Sequence, residues 1–142
     1  MAEKTMRVQL ELIGPAAFEA TAEGGKLVVD GAPEIGGEGR GMRPMDLLLA
    51  SVASCSAMDV LTILRKQKEP LEGLSVSIEG VRPDEVPSPF VRMKLVFVAR
   101  GRALDDHKLQ RAVGLAVEKY CSARATLGAG VAITWEARIE SA

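Results

Sequence analysis

The sequence predicts an α+β protein, in which strands come in runs and two helices interrupt them, rather than a doubly wound sheet. Three observations predict it. Met6, Val8, Leu10 and Leu12 alternate with Arg7, Gln9 and Glu11, and the same period of two returns at Leu74–Ile78, Val91–Phe97 and Val131–Ile139. The run Leu47–Leu64 is apolar or small on nearly every face and contains one charge, Asp59. Leu109, Ala112, Val113, Ala116, Val117 and Tyr120 share one face of a second helix.

In chain order, the first strand is expected over Met6–Leu12, and short strands at Phe18–Thr21 and Lys26–Asp30 turn at Gly24 and Gly25. Gly31–Gly41 holds five glycines and a proline around Glu34, Glu38 and Arg40, and reads as a mobile loop. Pro44 suits a first helical turn, where its missing N–H has no partner to lose, and Asp46 favours the positive end of the helix dipole. That helix is expected to run to about Lys68, ahead of Pro70. VRPDEVPSP forms an unusually long connection between the next two strands, and Asp105 or Asp106 caps the second helix. Cys121, four residues after Val117, extends its apolar face.

At 142 residues, 47% of them hydrophobic, the chain fits a single domain over 1–142 with one core. A net charge of −1, from 18 basic and 19 acidic residues, provides no field to gather nucleic acid or an anionic membrane. The opening MAEKTMRVQLEL lacks the basic, apolar and small-residue order of a secretory signal, so a cytoplasmic location is expected. The apolar helix is long enough to raise the question of a membrane span. Asp59 inside it, its serines and the alternating strands around it argue for burial in protein instead. One small sheet cannot cover both faces of such a helix, so a second copy is expected to complete the cover, giving a homodimer.

The chemistry narrows by elimination. His107 is the lone histidine and stands in a first helical turn beside Asp105 and Asp106, as a solvated surface residue would. With two distant cysteines it completes no zinc site, and no GxSxG accompanies it, so neither a metal nor a serine triad is expected. GGEGRGMR lacks the residues of a phosphate loop or a dinucleotide fingerprint, so no cofactor is expected. There remain Cys55 and Cys121, the chain's two thiols. As a redox pair, Cys55 would attack a peroxide as thiolate and pass through a sulfenic acid that Cys121 resolves. As packing residues, both are small hydrophobes on helices. Cys55 lies mid-helix, and Asp59 one turn later opposes a thiolate, so a reactive Cys55 needs a cation from elsewhere.

Pro44 opening a small-residue apolar helix with Cys55 eleven positions on, and a second helix ending YCSARATL with Cys121 and Arg124, resemble the OsmC/Ohr family over almost the whole chain. The resemblance implies an α+β fold with antiparallel sheets wrapped around a long central helix, in an intertwined homodimer with two interfacial sites. It also implies reduction of organic hydroperoxides in oxidative stress defence. Cys55 is then peroxidatic and Cys121 resolving, with a dithiol or lipoyl-type reductant.

The family's peroxidases carry a glutamate directly after the helix-starting proline, paired to an arginine from an N-terminal glycine-rich turn. Here Met45 stands at that position, and Lys26 is the single cation between Phe18 and Asp30. Asp46 lies nine residues from Cys55, about 13 Å along a straight helix. The chain therefore resembles a branch lacking the standard activating pair, with Arg40, Arg43, Asp46 and Arg124 as candidate activating or substrate-positioning residues. Leu48, Val52, Met58 and Tyr120 offer either apolar surface suited to an organic hydroperoxide or ordinary core. The alternatives are a non-catalytic small-molecule binding protein, which Met45 favours, and a redox sensor on the same dimeric fold.

Overall fold

A computed structural model describes residues 1–141 and gives a mixed α+β fold with two three-stranded sheets and one long helix. The chain divides into two units, Met1–Leu48 and Leu49 onward, the boundary falling within that helix.

In the first unit, β1 (Gln9–Leu12), β2 (Phe18–Ala22) and β3 (Gly25–Val29) form an antiparallel meander. Leu10, Ala20 and Leu27 line up in one cross-strand row and Leu12, Phe18 and Val29 in the next, on the same face. Leu10, Leu12, Phe18 and Leu27 remain exposed there. The first strand is shorter than the alternation predicts, because Gln9 already faces Thr21, one residue before β2 gives out. Ala22 pairs with Gly25, so the turn residues are Glu23 and Gly24, one position earlier than expected.

The glycine-rich loop, read from the sequence as mobile, is tied down by one carboxylate. Asp30, 2% exposed, accepts N–H groups from Gly31 at 2.8 Å, Glu38 at 2.9 Å and Arg40 at 3.0 Å. Its own N–H donates to the Met42 carbonyl at 3.0 Å. These donors, that of Arg40 foremost, hold the Asp30 carboxyl below the ordinary aspartate range. The loop closes so tightly that a Cβ on Gly37 would lie 1.8 Å from the Gly31 carbonyl oxygen, and one on Gly41 2.0 Å from that of Val28.

The helix α1 (Pro44–Lys66) starts as predicted. Pro44 occupies its first position, and Asp46 Oδ2 reaches back to accept the Arg43 N–H at 3.3 Å, one half of a capping box. It stops short of Lys68 because Lys68 turns left-handed, with φ 57. The Lys68 N–H then donates to the Arg65 carbonyl and the Glu69 N–H to that of Leu64, each at 3.0 Å, closing a Schellman motif. By length and composition α1 suffices to cross a membrane, and 22% of its most apolar window is buried inside the single chain.

In the second unit, β4 (Gly73–Val81), β5 (Arg92–Arg100) and β6 (Ala132–Glu140) form a sheet in that order. Its rows are Leu74, Ala99 and Ile139; Val76, Phe97 and Ala137; Ile78, Leu95 and Trp135. Met93, Leu95, Phe97 and Ala99 of the central strand are buried on that face. The expectation of antiparallel sheets needs correction here: β4 and β5 are antiparallel, but β5 and β6 are parallel. The chain leaves β5 at Arg100, crosses back through helices, and re-enters beside Arg92 at Ala132, as a parallel neighbour requires.

Asp30 gives the first unit a defined acid response. Its folded pKa lies below the ordinary 3.8, so its stabilisation is complete above that value and is lost as pH falls through the folded one. Asp30→Asn is expected to lower Tm at about pH 7, with the gap to wild type closing as pH falls through the lowered Asp30 value. A pH-independent gap in thermal melts would show that hydrogen-bond geometry alone, not the charge, sets the effect.

Candidate functional site

Val52, Ser56, Val60 and Leu64 form the buried stripe of α1. Cys55 flanks this stripe, about 60° around the helix from Val52, and is half-buried.

Cys121 arrives from α2 (Asp106–Leu115), which Asp105 caps by accepting the N–H groups of His107 at 2.9 Å and Lys108 at 3.3 Å. His107 is exposed, and Leu109, Ala112, Val113, Ala116 and Val117 are buried. The next turn departs from the sequence reading. Ala116–Tyr120 is π-helical, and the Cys121 N–H donates to the Ala116 carbonyl, five residues back, at 2.9 Å. The extra residue in that turn rotates the face by one position. Tyr120, expected on the buried side, is 50% exposed, whereas Cys121 is 4% exposed. At Cys121 the backbone becomes extended, with φ −67 and ψ 109, and a short helix α3 (Ser122–Leu127) follows.

The Cys121 sulfur is held on two sides. Sγ accepts the Arg124 N–H at 3.4 Å and lies 3.9 Å from the Val52 carbonyl oxygen, toward which the thiol donates. Cys55 follows Val52 by three residues, about 4.5 Å along the helix axis. The fold therefore sets Cys121 against the turn of α1 that carries Cys55, and both are free thiols.

Ser56 Oγ and Asp59 Oδ2 on α1, and Arg124 Nε on α3, are buried without hydrogen-bond partners among the described residues. Burial pushes the Asp59 carboxyl up from its ordinary range, toward the neutral acid.

The other candidates are placed in the first unit. Arg40 donates Nη1 to the Ile13 carbonyl at 3.1 Å and its backbone N–H to Asp30, so it braces the glycine loop. Arg43 gives its backbone N–H to Asp46, whose carboxylate serves as the α1 cap. The sequence marks Asp59 as an argument against a membrane span and an obstacle to a thiolate, and does not single out Ser56. The signal for Asp59 was its solitary charge in Leu47–Leu64, but a serine among small residues gives none. A cavity of about 400 Å³, lined by Ala57, Leu61, Leu64, Arg65, Leu74 and Val76 among others, includes neither thiol. Ala57 lies about 200° around α1 from Cys55.

Residues 37–136 match the family described as OsmC-like protein, and the chain belongs to that family. Protein YhfA of Escherichia coli is 38% identical over 91 residues, covering 64% of this chain and 68% of that protein. The crystal structure of a hypothetical protein from Aquifex aeolicus is similar with a TM-score of 0.81 and 31% identity, covering 97% of this chain and 99% of that one. The organic hydroperoxide resistance protein OhrB of Bacillus subtilis shares the fold, with a TM-score of 0.67 and 18% identity over 95% of this chain and 98% of its own.

The difference in burial between the thiols is open to a direct check. Iodoacetamide is expected to label Cys55 in the folded protein while Cys121 reacts only on adding denaturant, followed by intact mass and peptide mapping. Labelling of Cys121 first would contradict the arrangement.

Proposed function

We propose that this chain is a cytoplasmic thiol-dependent peroxidase reducing organic hydroperoxides in oxidative stress defence, one OsmC-like domain over residues 1–142 acting as a homodimer. Cys55 attacks the peroxide and becomes a sulfenic acid, Cys121 displaces the oxygen to form a disulfide, and a dithiol or lipoyl-type reductant restores both thiols. The observation that carries this reading is the 3.9 Å contact of Cys121 Sγ with the Val52 carbonyl, because resolution requires a second sulfur on the turn of the first.

Met45 and the lack of an arginine between Phe18 and Asp30 support the reading of a branch without the standard activating pair. Of the candidate cations, Arg124 fits best. Its Nε is buried and unpartnered and its N–H already touches Cys121, whereas Arg40 is engaged with Ile13. The exposed apolar row of β1–β3 and the thin cover of α1 both favour a second copy as partner, in preference to lipid, since Asp59 lies within the helix.

One observation favours a redox sensor as the second reading. Cys121 is part of the local structure, tied to Ala116, Val52 and Arg124, so its oxidation would perturb the π-turn and α3.

Steady-state oxidation of dihydrolipoate by cumene hydroperoxide tests the assignment. Cys55→Ala is expected to lower turnover by about 10³-fold or more, and Cys121→Ser to permit one turnover without a cycle. Unchanged turnover in C55A would reject the nucleophile. A wild-type protein that oxidises once and does not cycle would be the sensor.

A further inference from the structure

We propose, resting on the disulfide step of the reading above, that Ser56 is a positioning residue for the thiol pair. Its hydroxyl takes over the Val52 carbonyl when the Cys121 sulfur leaves it, and so favours the disulfide form.

Ser56 is 0% exposed, and its Oγ has no hydrogen-bond partner among the described residues. A serine inside a helix turns its hydroxyl either to solvent or back to the carbonyl four residues earlier, and for this buried serine that carbonyl belongs to Val52. Side chains lean toward the helix N-terminus, which carries Ser56 over that turn. A carbonyl oxygen offers two lone pairs. One accepts the Ser56 N–H in the regular bonding of α1, and the Cys121 sulfur stands 3.9 Å from the same oxygen, its thiol donating toward it. The thiol therefore holds the acceptor that the buried hydroxyl would use, and the hydroxyl is left unmatched in the dithiol form.

Disulfide formation reverses the assignment. The Cys55 sulfenic acid and the Cys121 thiol release water as the S–S bond forms, and one hydrogen of that water is the proton that Cys121 had turned toward Val52. A disulfide sulfur donates no hydrogen bond, so the carbonyl loses its thiol partner among residues closed to solvent, Val52 at 1% exposure and Cys121 at 4%. Rotation about χ1 brings the Ser56 hydroxyl to that oxygen, and two unmatched groups become one hydrogen bond. A dithiol reductant supplies two electrons and two protons, Cys121 regains its proton, and the hydroxyl is displaced again. Because the hydroxyl is satisfied in the disulfide form alone, the exchange biases the pair toward oxidation.

Wild type and Ser56→Ala are equilibrated with mixtures of dihydrolipoate and lipoate, the disulfide fraction is read by peptide mapping after acid quenching, and thermal melts are recorded for both redox forms. S56A is expected to lower the ratio of disulfide to dithiol about tenfold in a given mixture, a potential about 30 mV less negative for this two-electron couple. Its Tm is expected to fall in the oxidised form alone, since in the dithiol form the deleted hydroxyl has no partner among the described residues. An unshifted or oppositely shifted ratio, or an equal loss of Tm in both forms, overturns the role of Ser56 while the disulfide reading stands. A wild-type protein that forms no Cys55 to Cys121 disulfide in any mixture overturns that reading, and this inference with it.

Discussion

The seating of the Cys121 sulfur on the Val52 carbonyl of α1 is the contact on which the account of this protein depends. It joins two residues 69 positions apart in the chain, at the point where the π-helical turn after α2 gives way to extended backbone. An ordinary α-turn would point Tyr120 inward as well, whereas here it is 50% exposed. With the added residue, the thiol faces inward, caps the following helix through the Arg124 N–H, and meets the α1 turn that bears Cys55. A π-turn forgoes regular helical hydrogen bonding, and such turns recur at functional sites.

Around that contact the polar atoms are left unmatched. Ser56 Oγ, Asp59 Oδ2 and Arg124 Nε are buried without partners among the described residues, whereas the buried carboxylate of Asp30 is fully engaged. Asp30 and Asp59 show how environment divides identical side chains. Three backbone donors keep Asp30 ionised, whereas burial without donors moves Asp59 toward its neutral form. The first organises a loop, and the second is left with one oxygen sealed and unmatched.

Much of the fold was legible because period-two and helical patterns report burial directly. The α+β class, the start of α1 at Pro44, the cap at Asp105 and the strands on either side of the long connection all follow from local residue chemistry. The parallel pairing of β6 was not legible, since Ile133, Trp135 and Ile139 alternate identically whichever way the strand runs. The π-turn left no mark, because Ala116–Tyr120 has the composition of any amphipathic helix. The end of α1 depends on Lys68 adopting a left-handed backbone, which lysine seldom signals. The order of the glycine loop comes from Asp30, whose acceptors collect N–H groups up to ten residues away and outside any local motif. At the site, Cys55 and Cys121 stood out by residue type, but their approach to one turn of α1 is a tertiary fact.

The most direct measurement is a peptide map under non-reducing conditions after one equivalent of cumene hydroperoxide. The account predicts a Cys55 to Cys121 cross-linked peptide within a single chain, with an intact mass lower by two hydrogens. Oxidation that leaves the two sulfurs unlinked, or links them only between chains, would contradict it.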